Sequence, residues 1–135
     1  RKAIQNTSYN RSANTFTPGW LGGYFTKSML TDTQSGLPTT TMKSPAKTTP
    51  VTTPPTAEVL QDFIEHLHDQ LQIIELARQV NLNKVRVPIS IMPFVKLKLG
   101  DTLLFNAAHQ VRHAQQLVRT LPASYQTTIA SFRVK

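Results

Sequence analysis

The sequence predicts an all-α fold in a single domain covering residues 1–135, and three observations carry that expectation. Apolar residues recur at three-and-four spacing through Leu60, Phe63, Leu67, Leu71 and Ile74, which places them on one helical face. A second series, Leu104, Ala107, Val111, Ala114, Val118 and Leu121, makes a narrower seam of the same kind. The alternating apolar stretch at 84–94 contains Pro88 and Pro93, which argues against a central strand.

Taken in order, residues 1–14 are polar and basic and read as the frayed end of a helix. Residues 15–30 hold Phe16, Trp20, Leu21, Tyr24, Phe25, Met29 and Leu30 beyond a Pro18-Gly19 turn, so this segment is expected to dock on a core. Residues 31–56 are rich in Thr and Pro and bury too little apolar area to offset their ordering entropy; they read as a linker or crossover loop. Thr56 is a helix N-cap candidate with Glu58 in the favourable first turn, and the spacing predicts a helix over 56–80. The stretch 84–94 reads as an extended connector lying against the helices. Gly100-Asp101-Thr102 then opens a helix over about 100–121, which Pro122 ends. The tail from 123 has no clear pattern.

Composition narrows the function. Fifteen Lys and Arg against seven Asp and Glu give a formal charge of +8. The bases are scattered without a dense run or interleaved aromatics, which disfavours nucleic acid as a partner. Five of the acids, Glu58, Asp62, Glu65, Asp69 and Glu75, share the first long helix, whereas Asp101 is the one acid from Lys84 onward. There is no cysteine, so thiolate metal sites and disulfides are excluded. No apolar run is long enough to span a membrane, and a cytoplasmic location is expected.

His109 and His113 have the spacing of a site. Residues four apart on a helix lie one above the other, so both imidazoles can reach one ion. In projection from Leu104, the apolar seam falls at roughly 260–340° and Asp101, Arg112 and Arg119 at roughly 60–80°, a sector expected to face water. The histidines fall between these groups, at roughly 140–180°, beside the uncharged polar residues Thr102 and Asn106. An uncharged polar strip of this kind suits the wall of a cleft. On the same projection Arg112 is expected to make an ion pair with the acidic helix. His66 and His68 are two apart and diverge, so they do not chelate together.

The stretch from Val87 to Leu117 resembles the closing segment of the DinB-like family. Its Pro93-Phe94, Lys98-Leu99-Gly100-Asp101-Thr102-Leu103, Ala108-His109-Gln110-Val111-Arg112-His113 and Gln116 carry the likeness, together with Phe16, Pro18, Gly19, Trp20, Gly22 and Tyr24. The resemblance implies part of an up-down-down-up four-helix bundle with a divalent ion, zinc or nickel, held by His109, His113 and a third histidine upstream of Arg1. It implies a metal-dependent hydrolase or a transferase using a small thiol, acting on a small-molecule substrate, with Thr102 and Asn106 lining the approach. A homodimer is expected. The residues leave open a second reading: a non-catalytic helical dimerisation or binding module in which the histidines are vestigial.

Overall fold

The computed structural model describes residues 1–8, 15–30, 56–89 and 92–125. A single helical turn, α1 (Lys2–Gln5), precedes α2 (Trp20–Met29) and the long α3 (Ala57–Ala77). Strands β1 (Arg86–Ile89) and β2 (Met92–Lys98) follow, and β2 runs directly into α4 (Leu99–Thr120). The expected crossover loop, 31–56, lies outside the described residues except for Thr56, as does the tail beyond 125.

This is not the all-α four-helix bundle expected. Three helices among the described residues have ten or more residues, and the connector at 84–94 is a two-stranded antiparallel sheet. Val87 pairs with Leu97 and Pro88 with Lys96, with an irregularity between Pro88 and Ile89. The prolines, which argue against a central strand, are compatible with this sheet because a two-stranded ribbon has only edges. A residue lacking an N–H is tolerated when that side faces away from the partner strand.

The core gathers where α1, the end of α3, the hairpin and the start of α4 meet. Ile4, Ala77, Val80, Val85 and Leu99 are buried together, with Ile73, Leu76, Val87 and Leu103 packed around them. A tight turn sets this junction. The Asn81 side chain accepts from the N–H groups of Asn83 and Lys84, at 3.0 and 3.3 Å. The carbonyls of Leu82 and Val85 then accept from Gly100 and Leu99, at 3.1 and 2.9 Å. Two of the donors that any helix leaves unsatisfied at its start are thereby bonded without a side-chain cap. With Ala77 and Val80 beside Leu99, and Gln70 bonded to Asn106 and Gln110, α3 runs antiparallel to α4.

The helical faces are used differently from the expectation. The α4 seam was expected to be buried, yet Leu104, Ala107, Val111 and Ala114 are all exposed. The sector expected to face water carries Asp101 and Arg112, which are 2% and 8% exposed. Helix α2 covers that sector. Its small residues explain the choice: Gly22 lies against the Asp101 carboxylate so closely that a Cβ would overlap it. Asp101 accepts from the Gly19 N–H at 2.9 Å, at the N-terminal end of α2, and Arg112 donates to the Ser28 carbonyl at 3.1 Å near the other end. A carboxylate at the positive end of a helix and a guanidinium at its negative end are both favourable. The attraction between α2 and α4 is therefore built on charge and close backbone approach.

The preceding segment is tied to the same junction. Thr17 donates its N–H to Asn83 at 3.0 Å, Asn83 donates to the Thr15 carbonyl, and Lys98 donates to the Thr17 carbonyl at 2.8 Å. Phe16 lies against Gly100, where a Cβ would again overlap. The expected docking of the aromatic segment is partial, since Trp20 and Tyr24 are 86% and 66% exposed. Helix α3 is the least covered element; Leu60, Phe63, Leu71 and Ile74 all stand exposed.

Candidate functional site

Helix α4 forms the floor of a cleft between α2 and α3. Phe105 and Arg112 face α2, where Phe105 meets Phe25 edge-on at 6.4 Å. Asn106 and Gln110 face α3, where both donate to the Gln70 side-chain carbonyl. His109 and His113 project between these two sets, as the 3.6-residue period requires. His109 is half-buried, with Phe105 packed edge-on at 5.7 Å, and His113 is exposed.

The two imidazoles converge. Their Nε2 atoms are 2.6 Å apart and their ring centroids 4.5 Å apart. On its other side, His113 Nδ1 lies 2.8 Å from Gln116 Oε1. An amide oxygen only accepts, so Nδ1 carries a proton and donates to it. That fixes the tautomer of neutral His113 and leaves the Nε2 lone pair pointing at His109. His109 then donates its Nε2–H to that lone pair when no other group binds there.

His109 protonates less readily than an ordinary imidazole. Burial is the main cause, followed by the nearby His113 and the Arg112 guanidinium. His109 is thereby biased toward its neutral form, the form in which imidazole ligates metals. The donor chemistry fits two positions of a divalent ion. Metal–nitrogen bonds of ~2.0–2.1 Å at a tetrahedral angle set the two nitrogens roughly 3.3 Å apart, so the exposed His113 would have to open slightly. No group of three or more His, Cys, Asp or Glu that would complete such a site occurs among the described residues.

Thr102 and Asn106 line a cavity of about 530 Å³, which continues from the cleft floor toward α1 and the hairpin. Thr102 donates to the Lys98 carbonyl at 3.2 Å. Arg112 does not meet the acidic helix; α2 takes it instead, because its long side chain reaches back over α4 to the Ser28 carbonyl. His66 and His68 stay exposed on α3, apart from the site, and His66 Nδ1 lies 2.6 Å from the Asp62 carbonyl.

The sequence reading gave Gln116 no role beyond its match to the family pattern. A glutamine three residues beyond a histidine lies on the same helical face, and that spacing was the available signal. Asp101 was missed as a partner of α2. Its signal was the small residues Gly19 and Gly22, which only matter once α2 is placed against α4.

Among the described residues, fold and site together define a mixed fold, three long helices and a two-stranded hairpin, with two imidazoles that converge on one face of α4. The chain matches no family profile, no curated protein and no solved structure. No helix among the described residues is long and apolar enough to cross a membrane.

Proposed function

We propose that this protein binds a divalent transition metal, zinc or nickel, through His109 and His113. The observation that carries this reading is the convergence of their Nε2 atoms, with Gln116 holding His113 in the tautomer that exposes its lone pair. Two imidazoles leave coordination positions open for water or a small thiol, which is the basis for proposing hydrolase or thiol-transfer chemistry on a small molecule. When bound, the ion supplies Lewis acidity. The chain itself supplies the converging imidazole pair, the hydrogen bond that orients His113, and the Phe105 ring that shields one side of His109. A cytoplasmic setting is part of the same proposal and suits a chain with no cysteine.

The test is metal content and zinc or nickel titration calorimetry on the protein and on a His109→Ala, His113→Ala double variant. Binding that disappears in the double variant supports the reading. Equal binding in both proteins, or none in either, rejects it.

One observation favours the second reading, a homodimeric module. The α3 stripe of Leu60, Phe63, Leu71 and Ile74 and the α4 seam of Leu104 and Val111 are exposed together. In an antiparallel pair, helical projection places both on the side away from the histidines. Exposed apolar patches beyond a few hundred Å² mark interaction sites. Helix α3 carries five acids and no Lys or Arg, while Arg119 is the exposed charge on α4, so α3 of one copy would suit α4 of another. Sedimentation velocity on Phe63→Glu decides it: a dimer that falls to monomer supports the module, and a monomeric parent protein rejects it.

A further inference from the structure

We infer that the cavity between α1, the β1–β2 hairpin and the first half of α4 binds a neutral, mainly apolar small molecule through one hydrogen-bond donor on the ligand. The cavity measures about 530 Å³, inside the roughly 300–1,000 Å³ range of small-molecule pockets. At ~30 Å³ per water it has room for about fifteen to twenty water-sized atoms, which admits a bicyclic ring system. Phe25, Ile73, Val87, Leu103 and Phe105 supply an apolar lining.

The polar groups on its wall determine what the ligand must offer. Asn106 gives one amide N–H to Gln70, and its carbonyl oxygen is an acceptor for the ligand. Thr102 commits its hydroxyl proton to the Lys98 carbonyl and so presents lone pairs. Both offer an acceptor oxygen, one helical turn apart, and an O–H or N–H on the ligand can serve them. Arg1 is the charged residue on the wall, and its guanidinium is held by Asp69 and Gln72, each at 2.7 Å. An ionic ligand would lose hydration without gaining a free counter-charge, so the cavity selects a neutral one.

This site does not depend on the histidines holding a metal. Phe105 connects the two, since it lines the cavity and packs against His109, but no imidazole lines the cavity wall.

Fluorescence titration of the full chain with naphthol and with methoxynaphthalene tests the inference. The two probes have the same ring system, and only naphthol carries a donor. The expected result is saturable binding of one naphthol per chain, about two- to ten-fold tighter than methoxynaphthalene, the worth of one net hydrogen bond. Asn106→Leu should remove most of that preference. Val87→Trp and Leu103→Trp, which fill the cavity from different elements, should each abolish binding of both probes. Phe63→Glu and Val111→Glu, on the exposed apolar side, should leave both affinities unchanged. Equal affinity for the two probes overturns the inference. So does binding that survives both filling variants or is lost with Phe63→Glu, because the probes would then be adsorbing to the exposed helical faces.

Discussion

Helices α2 and α3 are neighbours of the same α4, and they are held to it in opposite ways. Helix α2 is short and glycine-containing, yet α4 bonds to both of its ends: Asp101 to the Gly19 N–H and Arg112 to the Ser28 carbonyl. Helix α3 is twice as long and has the better apolar periodicity, yet its stripe is exposed along most of its length. Its side-chain hydrogen bonds to α4 run through Gln70 alone among the described residues. Periodicity predicts that a helix forms, whereas steric fit and charge decide which neighbour it adopts. The contrast implies that stability is concentrated in the α2–α4 contact, and mutations can break or sharpen it.

The largest effect is expected at Gly22. Any side chain there collides with the Asp101 carboxylate, so Gly22→Leu should cost about 3 kcal/mol, read from the urea midpoint. If the midpoint does not move, α2 is not seated as described. Asp101→Ala comes next, at about 2 kcal/mol, because it removes a buried carboxylate that accepts from the start of α2. Loss of hydrogen-exchange protection at the Gly19 amide would accompany it. Arg112→Met should cost about 1 kcal/mol from the C-terminal end of α2.

The Arg112 variant also has a signature that a packing loss would not give. Arg112 is one of the three causes that hold His109 below its ordinary value of 6.5. Replacing it should raise the His109 titration midpoint, measured by NMR. The sign for stability follows. As pH falls below 6.5, the unfolded chain binds a proton at His109 that the folded chain resists, so stability present above that pH is lost until the folded value is reached. Arg112→Met should flatten this loss, and an unchanged slope would count against the assigned cause. The smallest effect is expected on α3, where Phe63→Ser should change stability by less than about 0.5 kcal/mol in the monomer. A larger cost would mean that the stripe is covered in solution.

The helical segments around Leu67 and Val111 were legible because 3.6-residue periodicity is a local property, and they appear at Ala57–Ala77 and Leu99–Thr120. The hairpin was legible only as extended chain. Whether Val87 finds Leu97 depends on a register set by the turn between them, and the prolines at 88 and 93 argued only against a central strand. The burial of Asp101 and Arg112 was misread for a different reason. A helical wheel assumes that charge seeks water, and it contains no information about a second helix whose ends attract those charges. The convergence of His109 and His113 needed only their spacing, whereas the bond from His113 to Gln116 needed rotamers.

Asp101 and Arg112 stand about three turns apart on α4, and this makes α4 a gauge with fixed markings. One residue inserted between them would rotate everything beyond it by about 100°, swinging Arg112 off Ser28. His113 would move with it, and His109 too if the insertion came before it. Evolution of this segment is therefore confined to substitution: the chain can change α4 letter by letter, but adding or deleting a single residue there would detach α2 and misdirect the imidazoles in one event.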